Sequence, residues 1–261
     1  MTSAPIPTPA PPPHAKATNV VAIASGKGGV GKTWFSITLA HALARAGQRA
    51  LLFDGDLGMA NLDIQLGLMP KHDLGAVIAG RTVLSQAITR YTDGGFDVIA
   101  GRSGSGSLAN LAASRVQMLS DDIAAIAGAY DRIILDLGAG VERTVRQLAH
   151  GAATCIVLAT DEPTSLTDAY AFIKMTNAER PGRDFRIVIN VANSTKEGER
   201  TYGTLLKACQ GFLKISPPLL GIIRRDAKVR EAIRNQTSLL TRFPNSEAAM
   251  DVEAIARRLL A

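Results

Sequence analysis

From Asn19 onward, short runs that are apolar almost throughout alternate with longer stretches in which apolar residues recur at helical spacing. The runs are VVAIA (20–24), RALLF (49–53), FDVIA (96–100), RIILDL (132–137), TCIVLAT (154–160), FRIVINV (185–191) and PLLGII (218–223). A strand with one wet face alternates apolar and polar residues; runs without that alternation predict strands covered on both sides. Separated by helices, they predict a doubly wound α/β fold, a mostly parallel sheet with helices on both faces. Ligands of such folds gather at the carboxyl ends of the strands.

Ahead of the first run lies MTSAPIPTPAPPPHAKAT (1–18), whose clustered prolines hold the backbone extended and remove donors, so a disordered lead is expected. The stretch GRSGSGSLAN (101–110) follows a predicted strand and reads as a loop. With 261 residues, 46% hydrophobic and 20% charged, the remainder (19–261) suits one domain around one core. Cys155 and Cys209 form neither a C-x-x-C pair nor a ligand cluster, which argues against a disulfide framework, a zinc site or a bridging iron–sulfur cluster and fits a reducing cytoplasm. The sequence shows no secretory signal and no apolar stretch long enough for a membrane-spanning helix. The net charge of +6 admits an acidic partner, nucleic acid or anionic lipid, and equally a solvated basic surface.

The candidate chemistry begins at SGKGGVGKT (25–33), where Gly26 to Thr33 fits G-x-x-x-x-G-K-[ST] between a predicted strand and a helix starting near Lys32. This is the context of a P-loop NTPase. Gly26, Gly28, Gly29 and Gly31, with Val30, let successive backbone N–H groups face phosphate oxygens, and the helix N-terminus adds partial positive charge. Lys32 is placed to reach the β and γ phosphates, and the Thr33 hydroxyl to take a Mg²⁺ position. Lys27 comes too early in the loop for that task; on one protomer it reads as a solvated lysine.

Two further segments end strands with carboxylates. In DGDLGMANLD, Asp54 and Asp56 leave the second strand with Asn61 soon after; they suit metal hydration and orientation of an attacking water, or else cap a polar turn. In RIILDLGAG, Asp136 suits water-mediated Mg²⁺ binding and Gly138 a backbone approach to the γ-phosphate, the other reading being an ordinary capped turn.

KGGVGKT resembles the deviant Walker A motif of the MinD/ParA family, and the resemblance extends from about Val20 to the C-terminus. It implies that Lys27 crosses a dimer interface to the nucleotide of a partner subunit. By the same match DGDLGMANLD resembles switch I, with Asp56 orienting the water, Asp54 acting near the metal and Asn61 holding the switch; RIILDLGAG resembles switch II. Asn190, ending FRIVIN, and Asp226, after GIIRRD, resemble positions around adenine, where an amide can both give and accept hydrogen bonds. The family pattern has proline where Arg224 stands, and plain capping remains the other reading of both residues.

Within the family, DEPTSLTDAYAFIKM (161–175), INVANS (189–194) and VREAIRNQTSLLTRFPNSEAA (229–249) are most similar to the FlhG-type regulators of flagellar number and placement. The resemblance implies a slow ATPase using ATP and Mg²⁺, cycling between monomer and ATP-dependent homodimer. Flagellar basal-body components, an FlhF-like GTPase or a transcription regulator are the implied partners, with cytoplasmic location and partner-driven recruitment to the cell pole or inner membrane surface. The lead lacks D-Q-A-x-x-L-R, the segment by which FlhG proteins stimulate that GTPase. In DVEAIARRLLA the stripe Val252, Ile255, Leu259 and Leu260 is expected to pack on the core, so that membrane binding is weak or absent without a partner. Rival readings are a DNA-binding partition ATPase, suggested by Arg224, Arg225, Lys228, Arg230, Arg234 and Arg242, an amide-forming metabolic ligase of the same fold, and a non-catalytic nucleotide-reading scaffold, against which Lys27, Lys32, Asp56 and Asp136 argue.

Overall fold

The computed structural model describes residues 18–101 and 111–261. The expected proline-rich lead and the Gly/Ser loop, apart from Thr18 and Gly101, lie outside the described residues. Eight strands form one sheet: β1 (Val20–Ser25), β2 (Ala50–Gly55), β3 (Ile88–Tyr91), β4 (Phe96–Ile99), β5 (Arg132–Ala139), β6 (Thr154–Ala159), β7 (Asp184–Ala192) and β8 (Leu219–Arg224). Their spatial order is β3-β4-β2-β5-β1-β6-β7-β8. Every pairing is parallel except β3 with β4.

All seven apolar runs appear as strands. The eighth, β3, has the sequence ITRY and was not anticipated: it is short, three of its four residues are partly or fully exposed, and it pairs antiparallel at the sheet edge. An edge strand needs only one covered face and carries little apolar signal.

The helices are α1 (Lys32–Arg45), α2 (Leu62–Leu66), α3 (Leu74–Ile78), α4 (Ala113–Ile126), α5 (Arg143–Gly151), α6 (Pro163–Glu179), α7 (Thr195–Ala208), α8 (Ala227–Arg234), α9 (Leu239–Arg242) and α10 (Glu247–Leu260). Strand β1 shows how the sheet separates two cores. Val20, Ala22 and Ala24 pack with Val116 and Leu119 of α4, Leu148 of α5 and Phe172 of α6. Val21 and Ile23 face the opposite way, onto Phe35, Leu39 and Leu43 of α1 and Val252 and Ile255 of α10. Successive Cβ atoms of a strand point to opposite faces, so a run apolar at every position is what two covering layers require. The predicted stripe of the last helix packs accordingly: Val252, Ile255 and Leu259 are buried, and Leu260 is half-buried against them. Among the described residues no helix is long and apolar enough to cross a membrane.

From β1 the chain crosses over β5 to reach β2, and from β5 it crosses over β1 to reach β6. The direction of winding therefore reverses around β1 and β5, and the loops following β1, β2 and β5 open at the same edge. In such a sheet that edge is where a ligand finds a crevice.

Candidate functional site

The loop from Gly26 to Gly31 joins β1 directly to α1. Gly29 and Gly31 hold φ of 78° and 94°, a region costly for residues with a Cβ. A side chain at Gly31 would also collide with the Trp34 indole and the Asn190 amide. The loop is braced on both flanks: Gly26 lies so close to the Asp168 backbone of α6 that a Cβ would not fit, and the Asn190 amide donates to the Val30 carbonyl at 2.7 Å. Such bracing is what lets a phosphate loop keep its amides aimed without paying to reorganise.

Lys32, the first residue of α1, is buried and donates to the Ser25 hydroxyl at 2.9 Å, while that hydroxyl donates to the Lys27 carbonyl at 2.7 Å. Burial lowers the pKa of the Lys32 ammonium, and the Asp136 and Asp56 carboxylates push it back up. One turn on, Ser36 donates to Asp136 at 2.9 Å, and the Thr33 hydroxyl lies near enough to the same carboxylate to lower its pKa. Burial raises the Asp136 pKa to about 6, against the pull of Thr33, Lys32 and Ser36. The α1 N-terminus thus presents Lys32, Thr33 and Ser36 to the end of β5.

Asp54 ends β2 opposite Asp136 in the β2–β5 register. Burial and then the neighbouring Asp136 charge push its pKa up to about 7. Its Oδ2 accepts from the amides of Asn61 and Leu62 at 3.1 and 3.2 Å, and its Oδ1 from the Asp56 amide at 3.3 Å. The turn-capping role that the sequence left open for Asp54 is therefore realised: it anchors the segment between β2 and α2. Asp56 caps the same turn through the amides of Gly58 and Met59 at 3.2 and 2.9 Å. Its carboxylate also lies over Gly138, so the two switch-like segments meet at this point. Asn61 precedes α2, its side-chain oxygen accepting from Gln65 at 3.4 Å.

On the other side, Asp226 caps α8 through the Lys228 amide at 2.8 Å and accepts from the Ala248 amide at 3.2 Å. Arg224, at the position where proline was expected, uses its backbone N–H to donate to Asp251 at 2.9 Å, which proline could not do. Its guanidinium pairs with Asp251 and Glu247.

Four participants were missed in the sequence. Ser25 and Ser36 were legible in hindsight, as a polar residue ending an apolar strand and a hydroxyl one turn after Lys32. Glu162 and Thr164, which hold the Lys27 ammonium at 2.5 and 2.9 Å, lie more than 130 positions from it and left no local signal.

Among the described residues no three His, Cys, Asp or Glu side chains form a ready metal-holding group. The fit to Mg²⁺ is of another kind: a hydroxyl, Thr33, near a buried carboxylate, Asp136, beside a loop built for phosphate oxygens. Mg²⁺ favours one or two protein oxygens with water and phosphate completing its shell, so these residues fit it.

Residues 21–239 match the family profile of the CobQ/CobB/MinD/ParA nucleotide binding domain. The chain is 37% identical to the antiactivator FleN of Pseudomonas aeruginosa over 244 residues, covering 92% of this chain and 85% of that protein. It is 28% identical to the flagellum site-determining protein YlxH of Helicobacter pylori, covering 93% and 82% respectively. The septum site-determining protein MinD of Pyrococcus horikoshii, solved in complex with Mg-ADP, superposes with a TM-score of 0.79 at 25% identity, covering 93% of this chain and 96% of the other.

Proposed function

The chain belongs to the CobQ/CobB/MinD/ParA nucleotide-binding family, and from that premise we propose a Mg²⁺-dependent, ATP-driven monomer–dimer switch that sets the number or position of flagella. It is an ATPase of the MinD/ParA type with the eight-stranded P-loop fold. One observation carries the mechanistic part: a braced phosphate loop holding a second lysine, Lys27, faces three strand-end carboxylates at one edge of the sheet.

Phosphoryl transfer needs little covalent chemistry from a protein and much positioning. The loop amides and Lys32 hold the phosphates, and Lys32 is well suited because burial keeps its charge from being spent on water. Thr33 and Asp136 would hold Mg²⁺, which when bound would neutralise phosphate charge. Asp56 orients the attacking water, while Asp54, already saturated by backbone amides, fixes the turn that carries Asp56 and Asn61. Gly138, beneath Asp56, links the second switch to the γ-phosphate. Asn190, near the end of β7, and Asp226, at the cap of α8 just after the neighbouring β8, take the base side; the Asn190 amide keeps one N–H beyond its bond to Val30. Lys27 supplies its charge to the nucleotide of a second copy, so ATP stabilises the dimer and hydrolysis removes that differential affinity.

The name of the YlxH relative, a flagellum site-determining protein, supports a flagellar role, and on that role the proposed partners are a transcription regulator, a basal-body component or an FlhF-like GTPase. A cytoplasmic protein brought to the pole or inner membrane surface by such partners fits a chain whose last helix spends its apolar stripe on its own core. The partition-ATPase reading is weakened by the pairing of Arg224 with Asp251 and Glu247 and of Lys228 with Glu231. Deleting the gene in its own cells and counting flagella tests the proposal. Altered number or placement, restored by the wild type but not by Lys32→Ala, is expected; unchanged flagellation overturns it.

A further inference from the structure

The side chain of Lys27 is engaged within its own subunit. Its ammonium is 2.5 Å from Glu162 Oε2 and donates to Thr164 Oγ1 at 2.9 Å. Both partners belong to the start of α6, Glu162 as the residue before the helix and Thr164 inside its first turn. That start is held firmly, because the buried Ser165 hydroxyl accepts from the Thr160 amide at 3.0 Å. Gly26, the residue before Lys27, is pressed onto the Asp168 backbone one turn further along the same helix. The backbone on both sides is thus fixed, and the four-carbon stem of Lys27 is the part free to move.

We propose that Glu162 and Thr164 act as positioning residues that latch Lys27 in cis, and that two ATP-loaded copies close only when each gives up this latch. The latch presupposes the two-copy sandwich proposed above. An ammonium donating to Glu162 and Thr164 of its own chain has spent two of its three donors, with a full opposite charge against it. Delivered to a phosphate of a second copy, it must first leave both. Glu162 and Lys27 are both solvent-accessible, with side chains 60% and 36% exposed, so the pair is weak enough to be exchanged for a desolvated phosphate contact. It therefore sets a threshold without blocking closure. Exposed pairs of this kind shift an equilibrium by roughly two- to five-fold, and a symmetric dimer gives up two of them.

The test is the protein concentration at half-dimerisation with ATP and Mg²⁺, read by light scattering for the full chain. Glu162→Gln keeps the size of the side chain at an exposed site and removes its charge. It is expected to lower that concentration by roughly four- to twenty-five-fold, and Thr164→Val to lower it by a smaller factor. Glu162→Asp, which changes the same position of α6 but keeps the charge opposite Lys27, is expected to leave the midpoint near that of the wild type, an outcome that general loosening of α6 would not produce. A midpoint for Glu162→Gln equal to or above that of the wild type, with the wild-type dimer intact, overturns the latch alone. A wild type that forms no dimer with ATP overturns the latch together with the sandwich it presupposes.

Discussion

Asp54 and Asp136 face one another across the β2–β5 pair, each 1% exposed, at the edge of the sheet where the phosphate loop ends. Burial pushes both upward, to about 7 and about 6, and the Asp136 charge adds to the rise at Asp54. The site thus holds negative charge that the fold itself does not favour and that a bound cation relieves.

That tension predicts a divergence between stability and activity. Asp136→Asn removes one charge while keeping the shape that Thr33 and Ser36 touch. The nucleotide-free variant is expected to melt at or up to about 2–4 °C above the wild type near pH 7.5, while ATP turnover falls by well over tenfold. Scanning calorimetry beside a phosphate-release assay checks both; a variant that melts lower and hydrolyses normally contradicts the assignment.

Lys27→Ala and Asp56→Ala are expected to fail at opposite points of the cycle. Without Lys27 the protein still binds ATP in its own loop, yet does not dimerise, and phosphate release drops by roughly a hundredfold or more, the scale of a cationic group supplied in trans. Without Asp56 the γ-phosphate persists and the dimer accumulates. Light scattering with ATP and Mg²⁺ distinguishes the two, and normal dimerisation of Lys27→Ala returns that residue to a solvated lysine.

Ile255, buried between β8 and α1, should behave as a core residue. Ile255→Ala is expected to cost about 2–4 kcal/mol in urea unfolding. The wild type should co-sediment poorly with anionic vesicles whether or not ATP is present, since Val252, Ile255 and Leu259 are already packed. Strong ATP-dependent sedimentation would show that α10 leaves its seat.

His41 gives a pH test away from the site. It is 6% exposed, its Nδ1 lies 2.8 Å from the Ser238 hydroxyl, and burial, then Arg45, depress its pKa to about 4. Between that value and 6.5 the unfolded chain binds the proton that the folded chain refuses, so this contribution to stability is present above pH 6.5 and is lost as pH falls toward 4. The ordinary His→Gln exchange isolates it: the wild type should lose stability relative to His41→Gln over that window, and parallel pH profiles would sink the idea.

Much of the molecule is written locally. Seven strands, the phosphate loop between β1 and α1, and the carboxylates ending β2 and β5 follow from runs of apolar residues and from glycine, lysine and aspartate at fixed spacing. These features depend on neighbours within a few residues, where backbone sterics and the need to cover both faces leave few solutions. Strand β3 escaped because an edge strand of four residues buries too little to mark itself.

What the tertiary structure decided is which distant groups meet. The sequence placed Asp54 and Asp136 at strand ends but not side by side; that required β5 to insert between β2 and β1. It supplied Lys27 but not Glu162 and Thr164, which reach it only because α6 packs beside the loop. It offered Asn190 for a base, and the fold also tied that amide to the Val30 carbonyl. Local pattern fixes which residues are buried and in what kind of element, because burial follows periodicity. Pairings between polar groups far apart in the chain carry no period, and the register and packing of the whole sheet set them.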